Sequence, residues 1–252
     1  MMDYKNWNEK INNNFNNAAH SYFDNSLIQK YFAHKLTDLI KNLDPPIGEW
    51  YDLGSGTGYL ADLIESQLIS PKVTRVDFCS KMLLEHKKDS KTILWDLNLD
   101  LPNYINNSSI IISSFCLHWL NEPEVVIQQW FDRLVHGGFL IILIPTNKSF
   151  SEWKETCKKC DIEYSGLTFP YPDILKSFFK KNEIFSITKY IYKETFPNIY
   201  KLFKSMINTG SQSTLSDRKT ISELKLMQKK WPKDKYENVN LTWEINVLIL
   251  RK

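Results

Sequence analysis

Glu49-Trp50-Tyr51-Asp52-Leu53-Gly54-Ser55-Gly56-Thr57-Gly58-Tyr59-Leu60 is the stretch that decides the fold of this 252-residue chain. Five residues of strand character, Glu49–Leu53, run into a loop with glycine at every second position, and helical spacing begins at Tyr59. Glycines between a strand and a helix permit positive φ and let backbone N–H groups approach a ligand at the helix N-terminus. The spacing is not the dinucleotide fingerprint G-x-G-x-x-G, because Tyr59 stands where its third glycine would be. The Gly-Lys-Ser/Thr ending of a phosphate-binding loop is also absent.

Charge selects the ligand. Asp52, just before the first glycine, repels a pyrophosphate and stabilises a nucleoside carrying an ammonium and a sulfonium. The loop therefore favours S-adenosylmethionine (SAM) over NAD or ATP, with Asp52, Gly54, Ser55, Gly56 and Gly58 as its expected binding residues.

Downstream, strands and helices alternate. Val73–Phe78, Thr92–Leu97, Ile110–Phe115 and Phe139–Pro145 read as strands. Helices are expected at Tyr59–Leu68, at Ser80–Asp89 behind a Ser80 N-cap, and from about Pro123 to Leu134. The runs Ile110-Ile111-Ile112 and Phe139 to Ile144 are continuously apolar, as strands covered on both faces require. With Ile187–Phe196 and Leu241–Leu250 as two further strands, the fold class is α/β. It is a Rossmann-like, doubly wound, mainly parallel seven-stranded sheet. Helical segments near Tyr200–Asn208 and Ile221–Trp231 form an insertion, about 197–240, between the last two strands; Ile221, Leu224, Met227 and Trp231 share one side. Upstream, Trp7, Ile11, Phe15, Ala18, Ala19 and Tyr22 give a short amphipathic helix, and Leu27–Leu43 a second one ending before Pro45-Pro46. Ser149-Phe150-Ser151-Glu152 has the form of a capping box. One domain spans 1–252, with a helical lid at about 1–45.

Strand ends supply the rest of the expected cofactor set. Asp77 closes the second strand and can accept from both ribose hydroxyls. Asp96 closes the third and can accept from an adenine amino group; Leu97 follows it. Ser113-Ser114-Phe115-Cys116-Leu117-His118-Trp119 ends the fourth, where side chains face cofactor or acceptor. Ser114 is assigned to the methionine part, Trp119 to the wall of the transfer pocket, and His118 to a structural hydrogen bond.

Composition excludes several classes. No apolar run reaches the ~18 residues of a membrane span, and the first ten residues lack the apolar core of a secretory signal. Four unevenly placed cysteines indicate reduced thiols and a cytoplasmic setting. Cys157-Lys158-Lys159-Cys160 has no second pair, so no metal is expected. Neither H-E-x-x-H nor G-x-S-x-G occurs. Residues 1–150 balance at −4 and residues 151–252 at +7. The second half is a lysine-rich solvated surface or, through Lys225, Lys229, Lys230, Lys233 and Lys235, a basic face for an acidic partner. No aromatic-basic stripe points to nucleic acid, and a monomer is expected.

Tyr51 to Leu60, Val76-Asp77-Phe78-Cys79-Ser80-Lys81-Met82-Leu83 and Leu134-Val135-His136-Gly137-Gly138 resemble the successive motifs of class I SAM-dependent methyltransferases. Met82 joins the expected SAM-binding set on this basis. Phe15 to Tyr22, Leu117-His118-Trp119, Ser149 to Trp153 and Leu241-Thr242-Trp243-Glu244 narrow the resemblance to the malonyl-acyl-carrier-protein O-methyltransferases that open biotin synthesis. Asn17 and the Phe203-Lys204-Ser205 stretch depart from that family's pattern, which has a basic residue and a glycine in these regions. The resemblance implies methyl transfer to the free carboxylate of a malonyl thioester on acyl carrier protein or coenzyme A. Such an acceptor needs no general base, so no catalytic dyad is expected; Tyr22 is a lid residue and Lys204 a carboxylate partner. The alternatives are another small-molecule acceptor, or a SAM-binding module without activity.

Overall fold

The computed structural model describes residues 4–68, 72–170, 172–212 and 219–252. The first three residues of the expected lid, and 213–218 of the expected insertion, lie outside the described residues. The chain opens with helices α1 (Tyr4–Asn25) and α2 (Leu27–Ile40), then enters strand β1 (Glu49–Leu53) and helix α3 (Tyr59–Gln67). Strand β2 (Val73–Asp77), helix α4 (Ser80–Leu84), strand β3 (Thr92–Leu94) and strand β4 (Ser108–Ser114) follow. A single 3₁₀ turn, Leu117–Trp119, leads to α5 (Pro123–Asp132) and β5 (Leu134–Pro145). Next come α6 (Ser151–Cys160), α7 (Pro172–Ser177) and β6 (Ile184–Phe196). Helices α8 (Ile199–Asn208) and α9 (Ile221–Lys230) form the expected insertion before β7 (Val239–Arg251).

The seven strands form one sheet in the order β3-β2-β1-β4-β5-β7-β6. The first five are parallel; β7 runs antiparallel to both β5 and β6. Side chains alternate across the pleat, so each central strand feeds two cores. Ile111, Leu140 and Ile142 pack beneath α5 with Ile127, Trp130 and Phe131. Ile110, Ile112, Ile141 and Leu143 pack against Phe32 and Leu36 of α2 and Ile64 of α3. The uninterrupted apolar runs are the consequence of that two-sided burial. Edge strand β6 instead alternates between half-buried and exposed residues, with Lys189 and Lys193 on its open side.

Among the described residues one basic side chain is buried in this frame. Arg75 of β2 is fully buried and paired with Asp62 at 2.8 Å and Glu65 at 2.7 Å, both on α3. It also donates to Ser90. This partnership is what allows a guanidinium inside the sheet–helix layer.

Several sequence expectations are corrected. α4 covers Ser80–Leu84 only, and Ser80 is already helical; Cys79 is the N-cap because Asp77 accepts its N–H at 2.9 Å and turns the chain one residue earlier. β3 stops at Leu94, since Asp96 accepts from Asn98 N at 2.9 Å and starts a turn. The Ser149–Glu152 box does not form. Ser149 Oγ donates to Glu244 O at 2.9 Å, and Glu152 accepts from Thr242 N at 3.0 Å, so both side chains tie α6 to β7. A capping box occurs instead at Thr220 and Glu223, opening α9. The first helix is 22 residues rather than short. Ile221 is exposed, while Met227 and Trp231 are buried against Leu202 and Leu241.

Candidate active site

The strand order reverses between β1 and β4, and the carboxyl ends of these strands open the crevice in which ligands of doubly wound sheets sit. The glycine loop bridges that point. Gly54 N and Ser55 N both donate to Val76 O, at 2.8 and 3.0 Å, pinning the loop to the end of β2. Gly54, Gly56 and Gly58 have φ of 77°, 53° and 82°. At Gly54 a side chain is barred twice, because an added Cβ would stand 2.3 Å from Cys116 Sγ. Gly54→Ala is therefore expected to destabilise the fold by ~1–3 kcal/mol, roughly 2–10 °C in Tm for a domain of this size. A thermal melt superimposing on that of the wild type would show that the loop absorbs the methyl without strain.

A cleft of about 70 Å³ lies in front of this loop. Gly54, Gly56, Asp77, Met82, Asp96, Leu97 and Ser114 of the expected set line it. Asp52, Ser55 and Gly58 do not; they lie behind the lining, where Gly58 caps α3. Asp77 is 7% exposed and cradles the loop: Oδ2 accepts from Gly56 N at 2.8 Å while Oδ1 holds Cys79 N. Burial raises its pKa to about 6 against the pull of those backbone donors. Asp52 is 1% exposed, and its Oδ2 has no hydrogen-bond partner. Burial pushes its pKa up to about 7, although Arg75 pulls it down. An orphaned carboxyl behind positive-φ glycines fits a cationic ligand and opposes a phosphate.

His86 completes the cradle from below. Its Nε2 lies 2.7 Å from Gly56 O, and burial lowers its pKa. Sequence reading missed it, because no motif marks a histidine thirty residues from its partner. Cys116, read only as part of the run facing cofactor or acceptor, packs against Gly54 and lines the cleft.

A second cavity, of about 580 Å³, adjoins the first. Phe15, Tyr22, Phe115 and Trp119 line both and form the partition between them. Two of these come from α1, which Asn16 fastens to α4 by accepting from Lys81 N at 2.9 Å. Phe115 reaches the partition through a φ of 53°, a strained turn for a non-glycine residue at the end of β4. Trp119 is held by Trp7, with ring centroids 6.4 Å apart, and by Phe15 at 5.3 Å. Beyond the partition the larger cavity is walled by Phe150, Trp153, Phe169 and Trp243.

Two expected roles change. Lys204 is exposed on α8 and does not line the cavity, because Leu202, Phe203 and Met206 take the inward face of that helix. His118 lines the larger cavity, but its Nδ1 is buried without a partner, so it makes no structural hydrogen bond there. Its ring lies tilted against Trp119 and edge-on to Phe169, each 5.2 Å away, and burial lowers its pKa to about 3. Asn17 is exposed. Cys157 and Cys160 are free thiols on α6, and no cluster of metal-ligating side chains occurs among the described residues. No helix among them is long and apolar enough to cross a membrane.

The sequence motifs and this geometry agree with known proteins. A methyltransferase-domain family model matches residues 51–142, from β1 into β5. Malonyl-acyl-carrier-protein O-methyltransferase 1 of Ilyobacter polytropus is 23% identical over 256 residues, covering 97% of this chain and 94% of that protein. The enzyme of the same name from Neorickettsia risticii is 28% identical over 169 residues, covering 64% and 65%. Among solved structures, one of a putative methyltransferase from Bacillus halodurans superposes with a TM-score of 0.58 at 14% identity, covering 86% of this chain and 97% of that one. The structural likeness is one of fold.

Proposed function

We propose that the chain, which resembles the malonyl-acyl-carrier-protein O-methyltransferases, is a SAM-dependent methyltransferase whose acceptor is the free carboxylate of a malonyl thioester. Acyl carrier protein or coenzyme A carries the thioester, and the reaction is an early step of biotin synthesis in the cytoplasm. The observation that carries this reading is the lack of an available base at the partition among the described residues. Burial raises the pKa values of Tyr22, Cys79 and Cys116, so all three keep their protons at neutral pH. His118, at about 3, is too weak a base to hold a proton there. Asp77 lines the smaller cleft and not the larger cavity, so it faces the nucleoside side of the partition.

A carboxylate suits such a site. With a pKa near ~4 it is more than about 99% ionised at pH 7 and needs no deprotonation. Bound SAM supplies an electrophilic methyl on a sulfonium. The protein's own work is alignment: Gly54, Gly56, Asp77, Met82, Asp96, Leu97 and Ser114 fix the nucleoside side, and Tyr22, Phe115 and Trp119 fix the approach. Positioning of this kind can supply roughly 7–11 kcal/mol of a barrier. Tyr22 and the rest of the helical segment 1–45 act as the lid, within one domain spanning the chain, and the aromatic partition keeps water from the reacting pair.

One residue favours a second reading. Glu194 lines the larger cavity, and its Oε2 accepts from Trp243 Nε1 at 2.7 Å. A carboxylate there can receive a proton from a hydroxyl or amine acceptor. Labelled SAM incubated with malonyl-carrier protein, malonyl-coenzyme A, free malonate, a phenol and an amine separates the two. An alkali-labile methyl ester on the thioesters is the expected product. Label appearing only on the phenol or the amine would replace the carboxylate reading with the second one.

A further inference from the structure

Gly56 sits in the middle of the glycine loop, and the peptide planes on both sides of it are held by side chains. Its N–H donates to Asp77 Oδ2 at 2.8 Å, and its carbonyl oxygen lies 2.7 Å from His86 Nε2. A glycine left to itself ranges over both signs of φ, so these two anchors are what keep Gly56 at a φ of 53°. His86 reaches the loop because α4 ends at Leu84. Glu85 N donates to Met82 O at 3.1 Å and His86 N to Leu83 O at 3.4 Å, and this turn carries the imidazole under the glycines. The ring also occupies the space that a side chain at position 58 would need: a Cβ added to Gly58 would stand 2.6 Å from Nδ1 and 2.8 Å from Cε1. His86 lines neither cavity, so whatever it does for a ligand it does through the loop.

The proton on this ring is assigned by its partners. A carbonyl oxygen only accepts, so Nε2 carries the hydrogen. Nδ1 is buried with no hydrogen-bond partner among the described residues. An imidazolium would add a second N–H there with nothing to receive it. Burial and the Arg75 charge also lower the pKa of His86, against the pull of Gly56 O and Asp62. The ring is therefore a neutral, single donor. We propose that His86 is a positioning residue for the nucleoside: by donating from Nε2 to Gly56 O it sets the glycine loop in its ligand-ready shape before anything binds. Asp77, which lines the cleft, holds the other side of the same residue and is aimed by the same clamp. Without the clamp the loop is ordered only at the moment of binding, and fixing the backbone of one residue costs about tenfold in affinity. The proposal rests on the reading of the smaller cleft as the cofactor site.

The test is calorimetric titration of the full chain with S-adenosylhomocysteine, comparing the wild type with His86→Leu and His86→Gln. Leucine keeps bulk and removes the donor; the amide nitrogen of glutamine stands close to where Nε2 does and can replace it. His86→Leu is expected to bind about tenfold more weakly, and His86→Gln within about threefold of the wild type. Amide exchange on the ligand-free chains reads the clamp itself. The N–H groups of Gly56 and Gly58, bonded to Asp77 and to Ser55 O, should be protected in the wild type and in His86→Gln. In His86→Leu they should exchange rapidly until S-adenosylhomocysteine is added. The ring nitrogen shifts of the wild type need no variant: a protonated Nε2 and a bare Nδ1 are expected at pH 7. The opposite tautomer overturns the proposal. So does a glutamine variant that loses as much affinity as the leucine one, since the ring would then serve only to fill space. Binding by the wild type that both variants match removes the proposal alone, whereas a wild type that binds no S-adenosylhomocysteine removes the cofactor reading and the proposal with it.

Discussion

Asp77→Asn is expected to weaken SAM and S-adenosylhomocysteine binding by about 10- to 100-fold. The carboxylate ends β2 at the floor of the cleft, and each oxygen already accepts one backbone N–H, from Gly56 or Cys79. Each oxygen retains a second lone pair, and the two together suit a vicinal diol, as on ribose. Hydrogen bonds to a charged group contribute ~1.5–3 kcal/mol, and each ~1.4 kcal/mol is tenfold in affinity. Asparagine keeps the shape but turns one acceptor into a donor, which then faces Gly56 N or Cys79 N and also loses a ribose hydroxyl. Stability should change much less. Burial raises Asp77 to about 6, so holding it ionised at neutral pH costs on the order of 3 kcal/mol, which the amide avoids. Calorimetric titration with both nucleosides checks the affinity, and a melt checks the fold. Equal affinity in the mutant would mean that Asp77 serves only the turns at Gly56 and Cys79.

The fold was legible because the strongest signals in the chain are local. Continuous apolar runs such as Ile110-Ile111-Ile112 follow from two-sided burial, and the glycines at 54, 56 and 58 follow from backbone angles that side chains rarely adopt. Topology sends strand ends to the crevice, which brings Asp77 and Ser114 to the cleft, while Asp96 lines it from the turn after β3. Elements were misjudged where a side chain served a distant partner instead of its own helix. Ser149 and Glu152 have the spacing of a capping box, but their bonds go to Glu244 and Thr242, some ninety residues away in sequence. Lys204 illustrates the same limit. Only the packing of Leu202, Phe203 and Met206 against the core reveals that the lysine between them faces water. His86 and Cys116 touch the loop through contacts that no periodicity encodes.

The affinity for SAM should rise with pH between about 5.5 and 8. Two acids set the window. Asp52 is raised to about 7 and Asp77 to about 6, both chiefly by burial. Their raised folded-state values mean that, without ligand, they favour the fold most below their unfolded pKa near ~4. That contribution is lost as pH rises through 6 and 7. His118, lowered to about 3, runs the other way: its contribution is present above its unfolded pKa of ~6.5 and is lost as pH falls towards 3. A ligand bearing an ammonium and a sulfonium favours the ionised acids, so binding below pH 7 must expel protons. For each acid required in its ionised form, affinity falls by up to about tenfold per pH unit below its pKa. From pH 8 to 5.5 the two together amount to roughly 100-fold. Asp52→Asn should remove the upper step and leave a profile governed by Asp77 alone. Titrations in buffers of different ionisation enthalpy count the protons directly. A wild-type affinity constant across this range, with no proton released, would show that the buried carboxyl behind Gly54 does not sense the positive charge of the nucleoside.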